Sequence, residues 1–228
     1  MKMGVTVYLD TILVPLSVFL TVGYHAYLWH NFKNKPPLTT IGANTARRRM
    51  WFLGIEEGDD KKTMLAVQSM RNTQMMTILA ASVAVILNLS LAAMTNNIYN
   101  ASHLLSNTFF GLQSSRSLAL KYGSASLFLL TSFLCNSMAL GFFNEANFLI
   151  NVRAEFSPPG YVQAMMERGF MLALVGIRLL YITFPLLLWM LGPVPVALSS
   201  VALVRVLYEL DFAGNTIKEK LSTNCSIS

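Results

Sequence analysis

Arg178 is a permanently charged residue near the middle of a long apolar run, in the sequence GIRLLYITFP. A guanidinium near the centre of a bilayer costs roughly 2.5 kcal/mol or more, so we expect it to face protein or water and to have partners. One interpretation is that Arg178 lines a polar path or binds an anion. The other is that it is a structural arginine that hydrogen-bonds across neighbouring helices. Both remain open from the sequence alone.

The preceding apolar segment carries polar residues at helical spacing. This spacing places Ser132, Asn136 and Asn144 on one helical face. In the predicted topology Asn136 and Arg178 lie at similar depth, so the Asn carbonyl can accept a hydrogen bond from the guanidinium. Tyr181 shares a helical face with Arg178. We therefore predict that these five residues form a polar path or an anion-binding surface.

Asp10 and Glu145 are the ionisable partners that the sequence offers to Arg178. Neither residue lies at the predicted membrane depth of Arg178 unless a helix is tilted, since Asp10 lies toward the outer side of the membrane and Glu145 toward the inner side. Asp10 is also interpreted as the N-cap of a first helix that begins at Thr11. Glu145 is also interpreted as a solvated residue at the inner interface. A proton or cation role for either residue is the alternative.

The basic run ARRRMW is the second candidate site. Arg47, Arg48, Arg49 and Trp51 combine three cations with an aromatic ring, which is typical of a segment that binds anionic lipid headgroups. The alternative is an ordinary positively charged flank of a membrane span.

Composition defines the class of protein that must hold these residues. The chain has 228 residues, of which 54% are hydrophobic and only 12% are charged, about half the charged share of a typical soluble domain. The mean hydropathy is +0.51, and several apolar runs approach or exceed the roughly 18 residues of a membrane span. We predict an all-α fold, a polytopic helical membrane bundle of about five transmembrane helices, four long and one short.

The net charge of +6 does not require a nucleic-acid partner, because the basic residues cluster beside a predicted membrane boundary. The two cysteines, Cys135 and Cys225, form no disulfide framework or metal-binding spacing. The three histidines show no metalloprotease spacing, and the chain has no nucleophile elbow. We therefore predict no enzyme, no metal and no cofactor.

The predicted spans are residues 5–29, 74–94, 118–151, 169–191 and the shorter 196–210. A cleavable signal peptide is the rival for the first run, but Tyr24, Tyr27 and Trp29 favour an interfacial belt at its end. Asp59 or Asp60 is predicted to cap a helix that continues into the second span. Residues 1–212 form one transmembrane domain, and residues 213–228 form a polar mobile tail.

The first loop, residues 30–73, is the richest in Lys and Arg, which predicts that it is cytoplasmic. The tail then lies inside as well, or outside if the fifth helix does not cross. We expect an integral membrane protein of the plasma membrane or an endomembrane.

The segments VQSMRN, LKYG, GFFNEANFLI, RGFMLALVGIRLLYITFPLLLWMLGP and LYELD resemble a multi-pass membrane family called domain of unknown function 599. The resemblance covers about residues 8–211 and is most specific in the fourth span, at Gly176, Arg178, Tyr181, Pro185 and Trp189. It implies a membrane fold, and the loop and tail look like the plant branch. It implies no catalytic residues.

Two functions are consistent with the sequence. The first is an oligomeric channel or transporter for an ion or small solute, lined by the polar residues around Arg178. The second is a non-catalytic membrane scaffold or lipid-binding protein, which would contact lipid through the arginine run. The expected partners are membrane lipid and further copies of the chain, without nucleic acid.

Overall fold

The chain is helical throughout the residues that the structure describes. The structure is a computed structural model, and it describes residues 2–53, 60–101, 115–151 and 160–213. Within these ranges there is no strand, and a 3₁₀ turn, Pro36–Leu38, joins the first two helices. The α-helices are α1 (Lys2–Asn34), α2 (Thr40–Leu53), α3 (Asp60–Ala101), α4 (Ser115–Asn151), α5 (Tyr161–Leu188) and α6 (Pro193–Asp211).

Five of these helices, all except α2, are long and apolar enough to cross a membrane. The shortest, α6, has 19 residues and extends about 28 Å at a rise of about 1.5 Å per residue, close to the hydrocarbon thickness of a bilayer. The predicted polytopic all-α bundle is therefore confirmed. As expected, one continuous helix, α3, runs from Asp60 into the second span, and the predicted capping side chain of Asp59 or Asp60 lies outside the described side chains. The predicted mobile tail lies outside the described residues from position 214 onward.

Two predictions about the first helix are wrong. Because α1 begins at Lys2, Asp10 lies inside the helix and is not its N-cap; the residues before it are mostly apolar and continue the same helix. Tyr24 does not belong to an interfacial belt with Tyr27 and Trp29. It is 7% exposed, whereas those two are 51% and 58% exposed, because Tyr24 faces α6.

The helices α3, α4 and α5 form a three-helix group with α4 in the middle. Two apolar clusters fill the group. Met70, Phe143 and Met166 form one, and Leu91, Leu129 and Leu186 belong to the other. The helices pack closely because alanines of α4, among them Ala125 and Ala139, are fully buried at the contacts. Small residues at helix contacts are the usual means of close packing in membranes.

At Gly176 the backbone of α5 packs directly against the Asn136 side chain of α4. A Cβ atom there would lie 2.5 Å from Asn136 Nδ2, which is inside van der Waals contact. The Ser132 hydroxyl donates a hydrogen bond to the Gly176 carbonyl over 2.6 Å. Glycine is therefore required at this position by the space between the two helices.

We predict that Gly176→Ala lowers the free energy of unfolding by about 1–3 kcal/mol, because the added methyl group overpacks the contact with Asn136. The control is Gly141→Ala, on α4, where a Cβ atom would meet nothing within 4 Å. That change should be neutral or slightly stabilising, since alanine favours helix over glycine by about 1 kcal/mol. Thermal unfolding in detergent measures both, and equal melting temperatures for the two variants would contradict the prediction.

The helices α1 and α6 pair with each other and meet the three-helix group mainly through α5. Tyr24 and Leu28 of α1 pack against Leu207 of α6 and against Phe212, which follows it. The first and last helices of the described chain are thereby brought together, with the C-terminal half of α1 against the C-terminal end of α6.

The helix α2 lies outside the five spans and is fixed at the end where α1 and α6 finish. Its N-cap is Thr39, whose hydroxyl accepts a hydrogen bond from the Gly42 N–H over 3.1 Å. A Cβ atom at Gly42 would lie 2.3 Å from the Pro36 carbonyl oxygen, so the prolyl turn rests directly on the helix. Thr40 donates to the Leu210 carbonyl over 2.9 Å. A polar loop is the prediction for this segment, and the structure shows a helix instead; the capping threonine after the proline pair is the sequence signal for it.

Candidate functional site

Arg178 projects from α5 toward the α1–α6 pair and binds the carboxylate of Asp211, the final residue of α6. The Nη1 atom donates to Oδ2 over 2.8 Å, and Nη2 donates to Oδ1. Two parallel hydrogen bonds are the geometry that suits the planar guanidinium best. The Tyr24 hydroxyl of α1 donates to the same Oδ2. Three helices therefore converge on one carboxylate.

This cluster is buried. The side chain of Arg178 is 14% exposed and that of Asp211 is 4% exposed. Removing two charges from water is costly, and the cost is offset only when the geometry is good and the remaining lone pairs are satisfied. The bidentate contact and the tyrosine hydroxyl meet that requirement. The ion pair joins α5 to α6, and Tyr24 adds α1.

The partner of Arg178 differs from the three that the sequence suggested. Glu145 is exposed on α4, and the side chain of Asp10 lies outside the described side chains. The Nδ2 of Asn136 donates to the Ser132 carbonyl over 2.8 Å. Asp211 was missed because the fifth span was taken to end at Leu210, one residue too early.

The remaining polar-path candidates are not gathered around Arg178. Ser132 and Asn136 are buried between α4 and α5, at 0% and 1% exposure, where their hydrogen bonds are satisfied locally. Asn144 accepts a hydrogen bond from Gln74 of α3 over 2.9 Å. Tyr181 is 39% exposed on the outer surface of α5. Ser132 and Asn144 bond to neighbouring helices, Asn136 bonds within α4, and Tyr181 faces outward. The predicted polar path remains a prediction.

His25 lies next to Tyr24 on α1, with their rings edge to face at 5.4 Å. Its Nδ1 is 2.8 Å from the Thr21 carbonyl oxygen, which assigns the proton to Nδ1, and Nε2 is buried without a hydrogen bond. Within the described ranges, no group of three or more His, Cys, Asp or Glu side chains is arranged to hold a metal ion.

We predict that Arg178→Met leaves the Asp211 carboxylate buried without its cation and lowers the free energy of unfolding by about 3–5 kcal/mol. The double variant Arg178→Met/Asp211→Asn should recover most of this loss, because it removes the orphaned charge. The matched control is Arg205→Met. Arg205 and its partner Glu209 have side chains 81% and 65% exposed, so its effect should stay below about 1 kcal/mol.

The measurement is thermal unfolding in detergent, followed as the fraction of monodisperse protein that remains after heating. It compares the melting temperatures of the unmutated chain and the three variants. If Arg178→Met melted with the unmutated chain, the ion pair would contribute nothing to the fold.

The second candidate site is a cavity of about 360 Å³ between α1, α2 and α5. It is mainly apolar, and it lies at the end of the bundle where α2 is anchored. The lining residues are Phe32, Ile41, Asn44, Thr45, Arg48, Arg49, Gln163, Met166, Glu167, Phe170, Met171 and Leu174. An adjoining cavity of about 330 Å³ shares Arg48, Met166 and Phe170 with it, and it adds Arg47 and Trp51.

Arg48 is the charged residue that lines both cavities. Its guanidinium carbon lies 3.9 Å from the centre of the Phe170 ring, a cation–π contact. Partial burial lowers the pKa of Arg48 from its ordinary value, although a guanidinium remains protonated at neutral pH. Among the side chains that the structure describes, no carboxylate lies within salt-bridge distance of Arg48 or Arg49.

Glu167 is the acidic residue in the lining of the first cavity. Its Oε1 accepts a hydrogen bond from Gln163 Nε2 over 2.7 Å. Two arginines and one glutamate give this cavity one net positive charge. The sequence identified Arg47, Arg48, Arg49 and Trp51 as headgroup candidates, and the structure brings all four to the two cavities. The sequence alone did not indicate Phe170 or Glu167 as neighbours of these arginines, because both belong to α5, far along the chain.

Comparison with known proteins gives a family match. A family model described as "Protein of unknown function, DUF599" matches residues 12–216, so the predicted resemblance to domain of unknown function 599 is confirmed. No curated protein and no solved structure matches the chain.

Proposed function

Because this chain belongs to the DUF599 family, whose description names no activity, we propose a function from its geometry: a non-catalytic integral membrane protein that binds anionic lipid headgroups through α2. The observation that carries the proposal is the Arg48 guanidinium. It is held over the Phe170 ring, between two cavities, and no described carboxylate side chain lies within salt-bridge distance of it.

The position of α2 supports this function. The prolyl turn that follows α1 leads directly into α2, and Thr40 is hydrogen-bonded to the last turn of α6. The helix therefore lies at the level where two spans end, which is the level of lipid headgroups. Arg47, Arg48 and Arg49 are exposed there, and Trp51 is 37% exposed. Basic residues and tryptophan at this level are typical of segments that contact anionic lipid.

The orientation of the protein is part of the proposal. The segment that contains α2 is the richest in Lys and Arg, which places it in the cytoplasm by the positive-inside rule. The cytoplasmic leaflet carries the anionic lipids that these arginines would bind.

The transport hypothesis has less support. Arg178 is already neutralised by Asp211, and the other candidates for a polar path lie at separate helix contacts. Oligomer formation likewise remains a prediction. A flux assay in liposomes tests transport directly. An Arg178→Met variant that assembles normally but conducts differently would favour a path over the structural role.

We predict that anionic phospholipid raises the melting temperature of the detergent-solubilised protein more than phosphatidylcholine does, since a ligand of the folded state stabilises it by mass action. The triple variant Arg47→Gln/Arg48→Gln/Arg49→Gln should lose most of this difference. The matched control is Lys33→Gln/Lys35→Gln/Arg71→Gln, which removes three exposed cations from neighbouring segments.

The control should retain the lipid effect, and high salt should weaken it in the unmutated protein because exposed charges are screened. An equal loss in both triple variants would show that only total charge matters. That result, or the absence of any preference for anionic lipid, would rule out α2 as the binding element.

A further inference from the structure

We propose that the cavity between α1, α2 and α5 binds a single linear hydrocarbon chain that carries an anionic oxygen headgroup. This inference rests on the proposed function and deepens it, because it places one ligand in a defined space instead of a diffuse layer of headgroups around α2. The headgroup binds Arg48 and Arg49, and the chain lies along α5.

The shape of the cavity follows from one stripe of α5. Gln163, Glu167, Phe170 and Leu174 recur at three- and four-residue intervals, so they share a helical face. The polar end of this stripe is at the start of α5, and Leu174 lies farthest along the helix from that end. Phe32 and Ile41 form the opposing apolar walls. A ligand with a polar end and an apolar end fits this gradient in one orientation.

The next residue on the stripe is Arg178, which is not part of the lining. Its charge is paired with Asp211, and the lining of the cavity on α5 ends at Leu174. The volume of about 360 Å³ is near the lower end of the usual range for small-molecule sites, about 300–1,000 Å³. That volume suits one chain rather than the two chains of a diacyl lipid.

The charges of the lining select an anion and position it. Arg48 and Arg49 come from α2, outside the spans, where an anionic headgroup remains near water. Carboxylate, phosphate and sulfate oxygens all form the charge-assisted hydrogen bonds that a guanidinium prefers. Glu167 repels such a group, so the headgroup is held on the α2 side of the cavity.

The ligand has two sources with this shared chemistry. It is either a free single-chain amphiphile, such as a fatty acid, or one chain of an anionic bilayer lipid whose second chain remains in the membrane. Dodecanoate represents the first source, and phosphatidate in the surrounding bilayer represents the second.

The test uses the full chain in phosphatidylcholine nanodiscs and radiolabelled dodecanoate, with empty discs subtracted. We expect saturable binding of one dodecanoate per chain, with no competition from inorganic phosphate and weak competition from dodecanol. Arg48→Gln should weaken binding about tenfold or more, since it removes a charge-assisted contact. Glu167→Gln should tighten it about threefold, because the repulsive charge is lost while the amide still bonds Gln163.

Leu174→Trp should abolish the saturable binding by filling the cavity, and Ile41→Trp fills it from the opposite wall if the first variant does not fold. The matched controls are Leu198→Trp, at a residue 68% exposed on α6, and Lys33→Gln. Both should bind as the unmutated chain does. Phosphatidate that displaces dodecanoate identifies a bilayer lipid as the source, and phosphatidate that does not displace it identifies a free amphiphile.

Binding that persists in both tryptophan variants would overturn the cavity as the site, and so would dodecanol competing as well as dodecanoate. If the arginine triple variant nevertheless lost its response to anionic phospholipid, the proposed function would stand without this inference. If the unmutated chain showed neither response, both would fail.

Discussion

The described structure depends on a charge that has to be neutralised away from water. The guanidinium of Arg178 lies within an apolar helix, and its side chain is only 14% exposed. Its partner is the carboxylate of Asp211, which in turn accepts the Tyr24 hydroxyl. Because the arginine fork admits one bidentate partner in a fixed geometry, the pair fixes the position of α6 on α5, and the tyrosine fixes α1 on both.

The polar residues of the bundle interior and the arginines of α2 differ in whether they have partners within the protein. In the bundle interior, Ser132 and Asn144 are hydrogen-bonded to neighbouring helices, and Asn136 is hydrogen-bonded within α4. At the end of the bundle where α2 lies, Arg48 is held against an aromatic ring, and no described carboxylate side chain lies within salt-bridge distance of it. A cation without a paired anion is available to a ligand. This contrast favours α2 as the location of the proposed binding function.

The architecture was predictable because the bilayer constrains it so strongly. Long apolar runs in lipid have to be helices, since every backbone polar group must be satisfied within the segment, and the five runs became the five spans. The start of α3 at Asp60 also followed from the sequence. The arginine run was identified from its composition, before the cavities that it lines were known.

What the sequence could not provide is pairing between distant helices. The predicted depth of each residue in the membrane follows from its position within its span, and this gives Asp10, Glu145 and Asn136 as partners of Arg178. The partner in the structure, Asp211, lies one residue beyond the predicted end of the fifth span. Tyr24 was assigned to an interfacial belt because tyrosine is typical there, whereas the hydroxyl is bonded to a carboxylate 187 residues away. The helix α2 was overlooked because its stability comes from a capping threonine and from contact with the prolyl turn rather than from an apolar stripe.

The order of the residues along the chain means that Arg178 is synthesised before its partner Asp211. Asp211 follows Arg178 by 33 residues, which a ribosome adds in roughly 2–7 s at about 5–20 residues per second. The carboxylate reaches the guanidinium only after α6 has been made and inserted, so until then the charge of Arg178 must be shielded by water or by snorkelling to the interface. The nascent protein therefore passes through a stage in which α1, α5 and α6 are not yet joined by the Asp211 carboxylate, and this stage ends when α6 is inserted.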